Sequence, residues 1–288
     1  MLSPHCGRRV VVTGATSGVG EALARALCAE GAHVVLAARD IRAADALAKE
    51  LTDGGGAVSS VALDLADLGS VRRAARAIGA SEIDTLVNNA AVAGSRGVTK
   101  DGFELAFGTN HLGHFALTCL LLPRITRRVV HVGSGAHATV HDLDWDACTR
   151  TTRSWTGIRE YAASKLAVVL FHHELSRRLE GRPGPISVLA DPGNVASRAY
   201  RHVPAPLRQL WTCGMPTAVE GARTPLRCIT DRVEAGACYA PGGRFTPSAA
   251  SRCPRRAAEL WARSERWVGH EQPHEPGRRT RAQTGSLS

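Results

Sequence analysis

Short apolar runs rich in β-branched residues alternate with longer segments of helical period. This alternation constrains the fold more than any other feature of the chain. Residues 10–12 (Val-Val-Val) form the first run. A glycine-rich turn follows, and Val19, Ala22, Leu23, Ala26 and Leu27 then recur at helical spacing until Gly31 stops the helix. The same pattern predicts strands over 34–38, 58–63, 83–87, 129–132 and 186–190. It predicts helices over 43–51, 71–78, 103–122 and 161–179. Short, continuous apolar strands, each followed by a helix, build a parallel sheet covered on both faces. The predicted class is α/β, a single-domain, doubly wound, Rossmann-like sheet over 1–270. Its ligand site belongs at the carboxyl ends of the strands. The stretch 271–288 is polar, Arg-rich and punctuated by Pro and Gly, and is predicted to be a disordered tail.

Charge bears on what the chain binds. The net charge is +10, but the 36 basic residues divide into 33 Arg and only three Lys, Lys49, Lys100 and Lys165. Eight of the arginines fall in the last 40 residues. The body has no dense basic block interleaved with aromatics, so a solvated Arg-rich surface is preferred to nucleic-acid binding. The eight cysteines form no Cys-x-x-Cys and no zinc spacing, so no metal is expected and the thiols read as reduced. The first strand begins within ten residues of Met1, and the longest uninterrupted apolar runs fall short of a membrane span. The expectation is a cytoplasmic chain with no membrane anchor.

Chemistry concentrates at the strand ends. Thr13-Gly14-Ala15-Thr16-Ser17-Gly18-Val19-Gly20 joins the first strand to the first helix. Glycines let backbone approach a pyrophosphate, and the helix N-terminus supplies N–H groups and partial positive charge. No Gly-Lys-Ser/Thr follows, which excludes a P-loop. At the end of the second strand, dinucleotide folds place an acidic residue for the ribose 2′-hydroxyl. Here Ala38 takes that place and Arg39 follows, which favours a 2′-phosphate and hence NADP(H) over NAD(H). The alternative makes Arg39 an ordinary surface residue and Asp40 a helix cap. Asp64 and Leu65 end the third strand, and Asn88, Asn89, Ala90 and Ala91 end the fourth, where both can border an adenosine pocket or simply form turns.

Tyr161 and Lys165 are four residues apart, hence on one helix face. A nearby ammonium favours phenolate, so Tyr161 can exchange a proton with a carbonyl or alcohol oxygen. Lys165 also suits the nicotinamide ribose. Ser134, just past the fifth strand, suits the same substrate oxygen. A Tyr-x-x-x-Lys alone often arises by chance; the glycine turn and the strand-end serine give it context.

With these motifs the chain resembles the short-chain dehydrogenases/reductases over roughly residues 8–268. The resemblance implies a catalytic set of Asn110, Ser134, Tyr161 and Lys165. It implies dinucleotide contacts at Gly14, Thr16, Ser17, Gly18, Val19, Gly20, Arg39, Asp64, Leu65, Asn89, Tyr161, Lys165, Pro192, Gly193 and Val195. Ala38-Arg39-Asp40, the run 110–115, Asp142-Leu143-Asp144 and the run 218–222 are most similar to the retinol-dehydrogenase-like group. That similarity implies NADP(H) and a lipophilic ketone, aldehyde or alcohol as small-molecule substrate. Two residues depart from the group: Ala91 replaces a usual Gly, and Asp191 stands where His is frequent. The family also implies a homodimer or homotetramer through helices 103–122 and 161–179. Residues 198–219 read either as an apolar-faced lid over the substrate or as ordinary core. His111, His114, His172 and His173 read as structural rather than metal-binding. The competing functions are a non-catalytic dinucleotide-binding sensor or scaffold and a basic nucleic-acid binder.

Overall fold

The computed structural model describes residues 6–193 and 216–269. Val195, most of the lid stretch 198–219 and the tail 271–288 lie outside the described residues.

Strand β1 (Arg9–Thr13) runs through the middle of the sheet, between β2 (His33–Ala38) and β4 (Ile83–Asn88). The full order is β3-β2-β1-β4-β5-β6-β7-β8, with β3 at Ala57–Ala62, β5 at Ile125–Val132 and β6 at Ile186–Ala190. All strands are parallel through β7 (Cys238–Ala240), and β8 (Gly243–Arg244) closes the edge antiparallel. The order reverses between β1 and β4, and a crevice opens there at the carboxyl ends.

Alternation along β1 feeds two cores. Val11 packs on one face of the sheet with α3 (Leu68–Ile78), α4 (Leu105–Arg124) and α5 (Ile158–Leu179). Val10 and Val12 pack on the other with α1 (Gly18–Ala29), α2 (Ile41–Asp53) and α6 (Ala218–Thr230). Both faces of β1 and β2 are buried, which is why those strands carry apolar runs, whereas the edge strand β3 is only partly buried and carries Ser59 and Ser60.

Helix α4 differs from the prediction in three ways. It begins two residues later than expected, and its segment Gly108–Leu112 is π-helical, with the Gly113 N–H bonded to the Gly108 carbonyl. Its 20 residues are also long and apolar enough to cross a membrane by length and composition, with 78% of that window buried in the fold. Counting uninterrupted apolar runs missed this because Asn110, His111 and His114 break the run without lowering its average much. Burial by neighbouring elements marks it as a core helix.

The sequence did not predict α6, β7, β8 or the last helix, α7 (Pro254–Val268). Helix α7 lies across α4 and α5. Trp261 meets Phe115 and Phe171 with ring centroids 5.0 and 5.8 Å apart, and the Arg178 guanidinium sits 4.2 Å from the Trp261 ring centre. His111 Nε2 and Ser264 Oγ are 2.8 Å apart. The chain's own C-terminal helix thus packs on α4 and α5.

Candidate functional site

The turn after β1 is shaped by close approach. A Cβ on Gly20 would lie 2.3 Å from the Gly14 carbonyl oxygen and 2.5 Å from Asn89 Nδ2, so only glycine fits. Gly18 has φ +57, and nothing lies within 4 Å of where its Cβ would be. Ser17 makes no side-chain cap on α1. The first amides of a twelve-residue helix therefore face a cavity of about 390 Å³ without an internal partner. Gly14, Thr16, Ser17, Gly18, Val19 and Gly20 all line that cavity.

The next walls are the ends of β2 and β3. Ala38, Arg39, Asp64 and Leu65 line the cavity as expected from sequence. Asp40 lines it too, but its carboxylate accepts from the Ala43 N–H at 3.1 Å and caps α2. Arg39 is exposed, and its guanidinium enters no ion pair among the described residues. Asp64 Oδ1 accepts from the Ala66 N–H at 2.9 Å, which fixes the turn after β3.

At the end of β4 the two asparagines part. Asn89 lines the cavity and donates from Nδ2 to the Thr13 carbonyl at 2.8 Å. Asn88 turns into the core and donates to Thr118 Oγ1 at 2.9 Å. The expectation that Asn88 borders the pocket is corrected; alternation along a strand sends neighbouring side chains to opposite faces. Ala91 also lines the cavity, and no non-glycine among the described residues has a positive φ, so this turn does not require glycine at Ala91.

A hydrogen-bond hub ties this wall to the catalytic candidates. Thr13 Oγ1 accepts from the N–H groups of Asn89 and Ala90 at 2.9 and 3.0 Å. The same hydroxyl meets His114 Nε2 at 2.9 Å, and His114 Nδ1 meets the Asn110 carbonyl at 2.9 Å. The carbonyl can only accept, so Nδ1 carries the proton and Nε2 accepts from Thr13. Burial, with the Lys165 charge adding to it, holds His114 down to about 4, so the ring is neutral. The Asn110 amide clasps the Val92 backbone, accepting at 2.8 Å and donating at 3.0 Å, and also donates to Ser164 Oγ at 2.9 Å. Ser164 in turn donates to the Tyr161 carbonyl at 2.7 Å.

Tyr161 lies on the cavity wall; Lys165 lies behind it, 3% exposed. The Lys165 Nζ is 5.8 Å from the Tyr161 ring centre and donates to the Val132 carbonyl at 2.9 Å. Burial pushes Lys165 down to about 8, against the opposing pull of Asp191. Asp191 is 7% exposed, just past β6, and accepts from the Gly193 N–H at 2.8 Å. Pro192 lines the cavity. Asn110, Ser134, Lys165 and Gly193 are not on its wall. Ser134 begins the turn Gly135–Thr139, with its oxygen 3.3 Å from the Ala136 N–H.

Sequence reasoning missed Val92, Ala93, Ser95 and Thr109, which also line the cavity. The apolar run continuing past Asn89 was the available signal. Sequence reasoning also gave no role to Asp191, read Thr13 only as part of the glycine turn, and read His114 only as structural. Among the described residues no group of His, Cys, Asp and Glu is arranged to hold a metal ion.

The comparisons with known proteins agree with this geometry. A family model described as short chain dehydrogenase matches residues 8–205. Retinol dehydrogenase 13 from Homo sapiens is 35% identical over 287 residues, covering 93% of this chain and 86% of the relative. Among solved structures, an uncharacterised protein from Mycobacterium paratuberculosis has a TM-score of 0.78 and 39% identity, over 94% of this chain and 97% of that one. A protein from Beutenbergia cavernae described as an NAD(P) dependent gluconate 5-dehydrogenase, solved with NADP at low occupancy, has a TM-score of 0.64 and 25% identity, over 84% of this chain and 97% of that one.

Proposed function

Because this chain belongs to the short-chain dehydrogenase family and is retinol-dehydrogenase-like, we propose that it reduces the carbonyl of a lipophilic small molecule with NADPH. One observation carries the reading. A phenol on the cavity wall, Tyr161, is backed by a buried ammonium and shares its cavity with an uncapped helix N-terminus and the unpaired Arg39.

The residues present fit a dinucleotide. The first amides of α1 and the glycine-only contact at Gly20 suit a pyrophosphate. Arg39 suits a 2′-phosphate, with the Asp40 carboxylate committed to its helix. When bound, the nicotinamide supplies the hydride.

The chain's own residues handle the proton. Tyr161 donates its hydroxyl proton to the substrate oxygen in reduction and takes it back in oxidation. Lys165 stabilises the phenolate left behind and holds the nicotinamide ribose. Ser134 orients the substrate oxygen. Asn110 holds Val92 and Ser164 in place and so sets the wall beside Tyr161. The retinol dehydrogenase relative supports a lipophilic substrate, as does the run Ala90–Ala93, apolar throughout and lining the cavity.

A panel of retinoid, sterol, fatty-aldehyde and polyketide-like carbonyls, assayed with NADPH and NADH side by side, tests this. Faster NADPH oxidation with apolar carbonyls is expected. Dinucleotide binding without turnover of any carbonyl or alcohol would favour a sensor or scaffold instead.

A further inference from the structure

Four large hydrophobic side chains are exposed among the described residues, and three of them lie on two neighbouring segments beside the cavity: Val98 at 49%, Trp155 at 86% and Ile158 at 40%. Two loops carry them, and the loops are strapped to each other. The Gly97 N–H donates to Thr152 Oγ1 at 3.1 Å, and the Thr152 N–H donates to the Gly97 carbonyl at 3.3 Å. A Cβ on Gly157 would lie 2.7 Å from the Ser95 carbonyl oxygen. Ser95 lines the cavity, and Tyr161 follows Ile158 by one turn of α5. These apolar side chains therefore stand on the loops that adjoin the cavity wall at Ser95 and Tyr161.

The same two loops are basic. Arg96, Arg153 and Arg159 are exposed, and none of these guanidinium groups forms an ion pair among the described residues. The one carboxylate among them, Glu160, is tied back. It accepts from the Ser154 hydroxyl, from the Ser154 N–H at 2.9 Å and from the Arg153 N–H at 3.3 Å. The rim thus presents a protruding indole and two aliphatic side chains among three free cations.

We propose that this rim docks the cavity mouth onto an anionic lipid bilayer. Trp155, Ile158 and Val98 enter the headgroup region, and the three arginines meet lipid phosphates. Indole rings favour that depth, and each basic side chain near an anionic leaflet adds roughly fivefold to partitioning. A side chain as exposed as Trp155 needs no complementary pocket in a soft interface, whereas a protein partner would have to supply one. Docking stands on the rim alone; that it delivers substrate rests on the proposed lipophilic carbonyl reduction.

The test is co-sedimentation of the full chain with vesicles of phosphatidylcholine, with and without phosphatidylglycerol. Binding only to the anionic vesicles, weakened by salt, is expected. Arg96→Gln, Arg153→Gln and Arg159→Gln together should lower it about 100-fold, and Trp155→Ser about tenfold. Arg182→Gln, Arg223→Gln and Arg255→Gln together remove the same charge elsewhere and should leave most of the binding. An equal loss in both triple variants would assign the binding to diffuse charge and overturn the proposal. Binding to an acidic acyl carrier protein but not to anionic vesicles would overturn it too. Turnover of a water-soluble carbonyl should be unchanged in every variant. If the parent chain turns over no carbonyl, the proposed activity fails while the vesicle result still decides the docking.

Discussion

The Lys165 ammonium sits 5.8 Å from the centre of the Tyr161 ring, buried and anchored to the Val132 carbonyl. Its charge is therefore sensitive to pH. Burial lowers it to about 8, so the ammonium is present below that pH and lost above it in the dinucleotide-free chain. NADPH affinity should fall as pH rises through 8, in a fluorescence titration run from pH 7 to 9. Asp191 opposes the shift, so Asp191→Asn should move that fall to lower pH. An unmoved profile would show that Asp191 does not act on Lys165.

Arg39 is the residue on which dinucleotide choice should turn. Charge-assisted hydrogen bonds are worth about 1.5–3 kcal/mol, or roughly ten- to a hundredfold. Arg39→Ala should raise the KM for NADPH by about that factor and leave the KM for NADH nearly unchanged. Equal effects on both would make Arg39 an ordinary surface residue.

The two glycines of the turn should respond differently to alanine. In Gly20→Ala the new methyl would lie 2.3 Å from the Gly14 carbonyl oxygen, so backbone must shift, and both melting temperature and NADPH binding should collapse. In Gly18→Ala nothing is struck, but φ of +57 costs about 1–2 kcal/mol. A melting temperature only a few degrees lower is expected there. Identical melting curves for the two variants would contradict the close approach at Gly20.

Acid should unfold the chain early. His111 and His172 are held down to about 3 and His114 to about 4, each by burial. In the unfolded chain these rings take protons near pH 6.5. Between pH 6.5 and 4 the unfolded state thus binds more protons, and stability falls as pH falls. Each ring adds at most about 1.4 kcal/mol to that loss for each pH unit below 6.5. Melting temperatures at pH 7.5, 6 and 5 should drop steeply; a flat series would mean the rings are charged in the folded state.

Much of this fold was legible because β1 and β2 carry uninterrupted apolar runs for two buried faces, and β4 and β6 keep apolar residues at most of their positions. The edge was not. Strands β7 and β8 have three and two residues beside Pro241 and Gly242, too few to establish a period. Helix α7 hides its core residues Leu260 and Trp261 among arginines that suggested only a solvated surface. In α4, an apolar run looks the same whether its turns are α or π, so the widened turn that holds Asn110 left no mark in the sequence. The glycine turn, Arg39 and the Tyr161–Lys165 pair were readable since their chemistry lies in residue type and local spacing. Asp191 and His114 act across 26 and 101 residues, on Lys165 and Thr13, and such contacts exist only once the chain is folded.

The most direct test of the account is Tyr161→Phe, assayed for carbonyl-dependent NADPH oxidation alongside NADPH binding. The substitution removes one hydroxyl and keeps the ring beside Lys165. Loss of turnover with near-normal NADPH affinity is the predicted result. Undiminished turnover would contradict the assignment of Tyr161 as the proton donor.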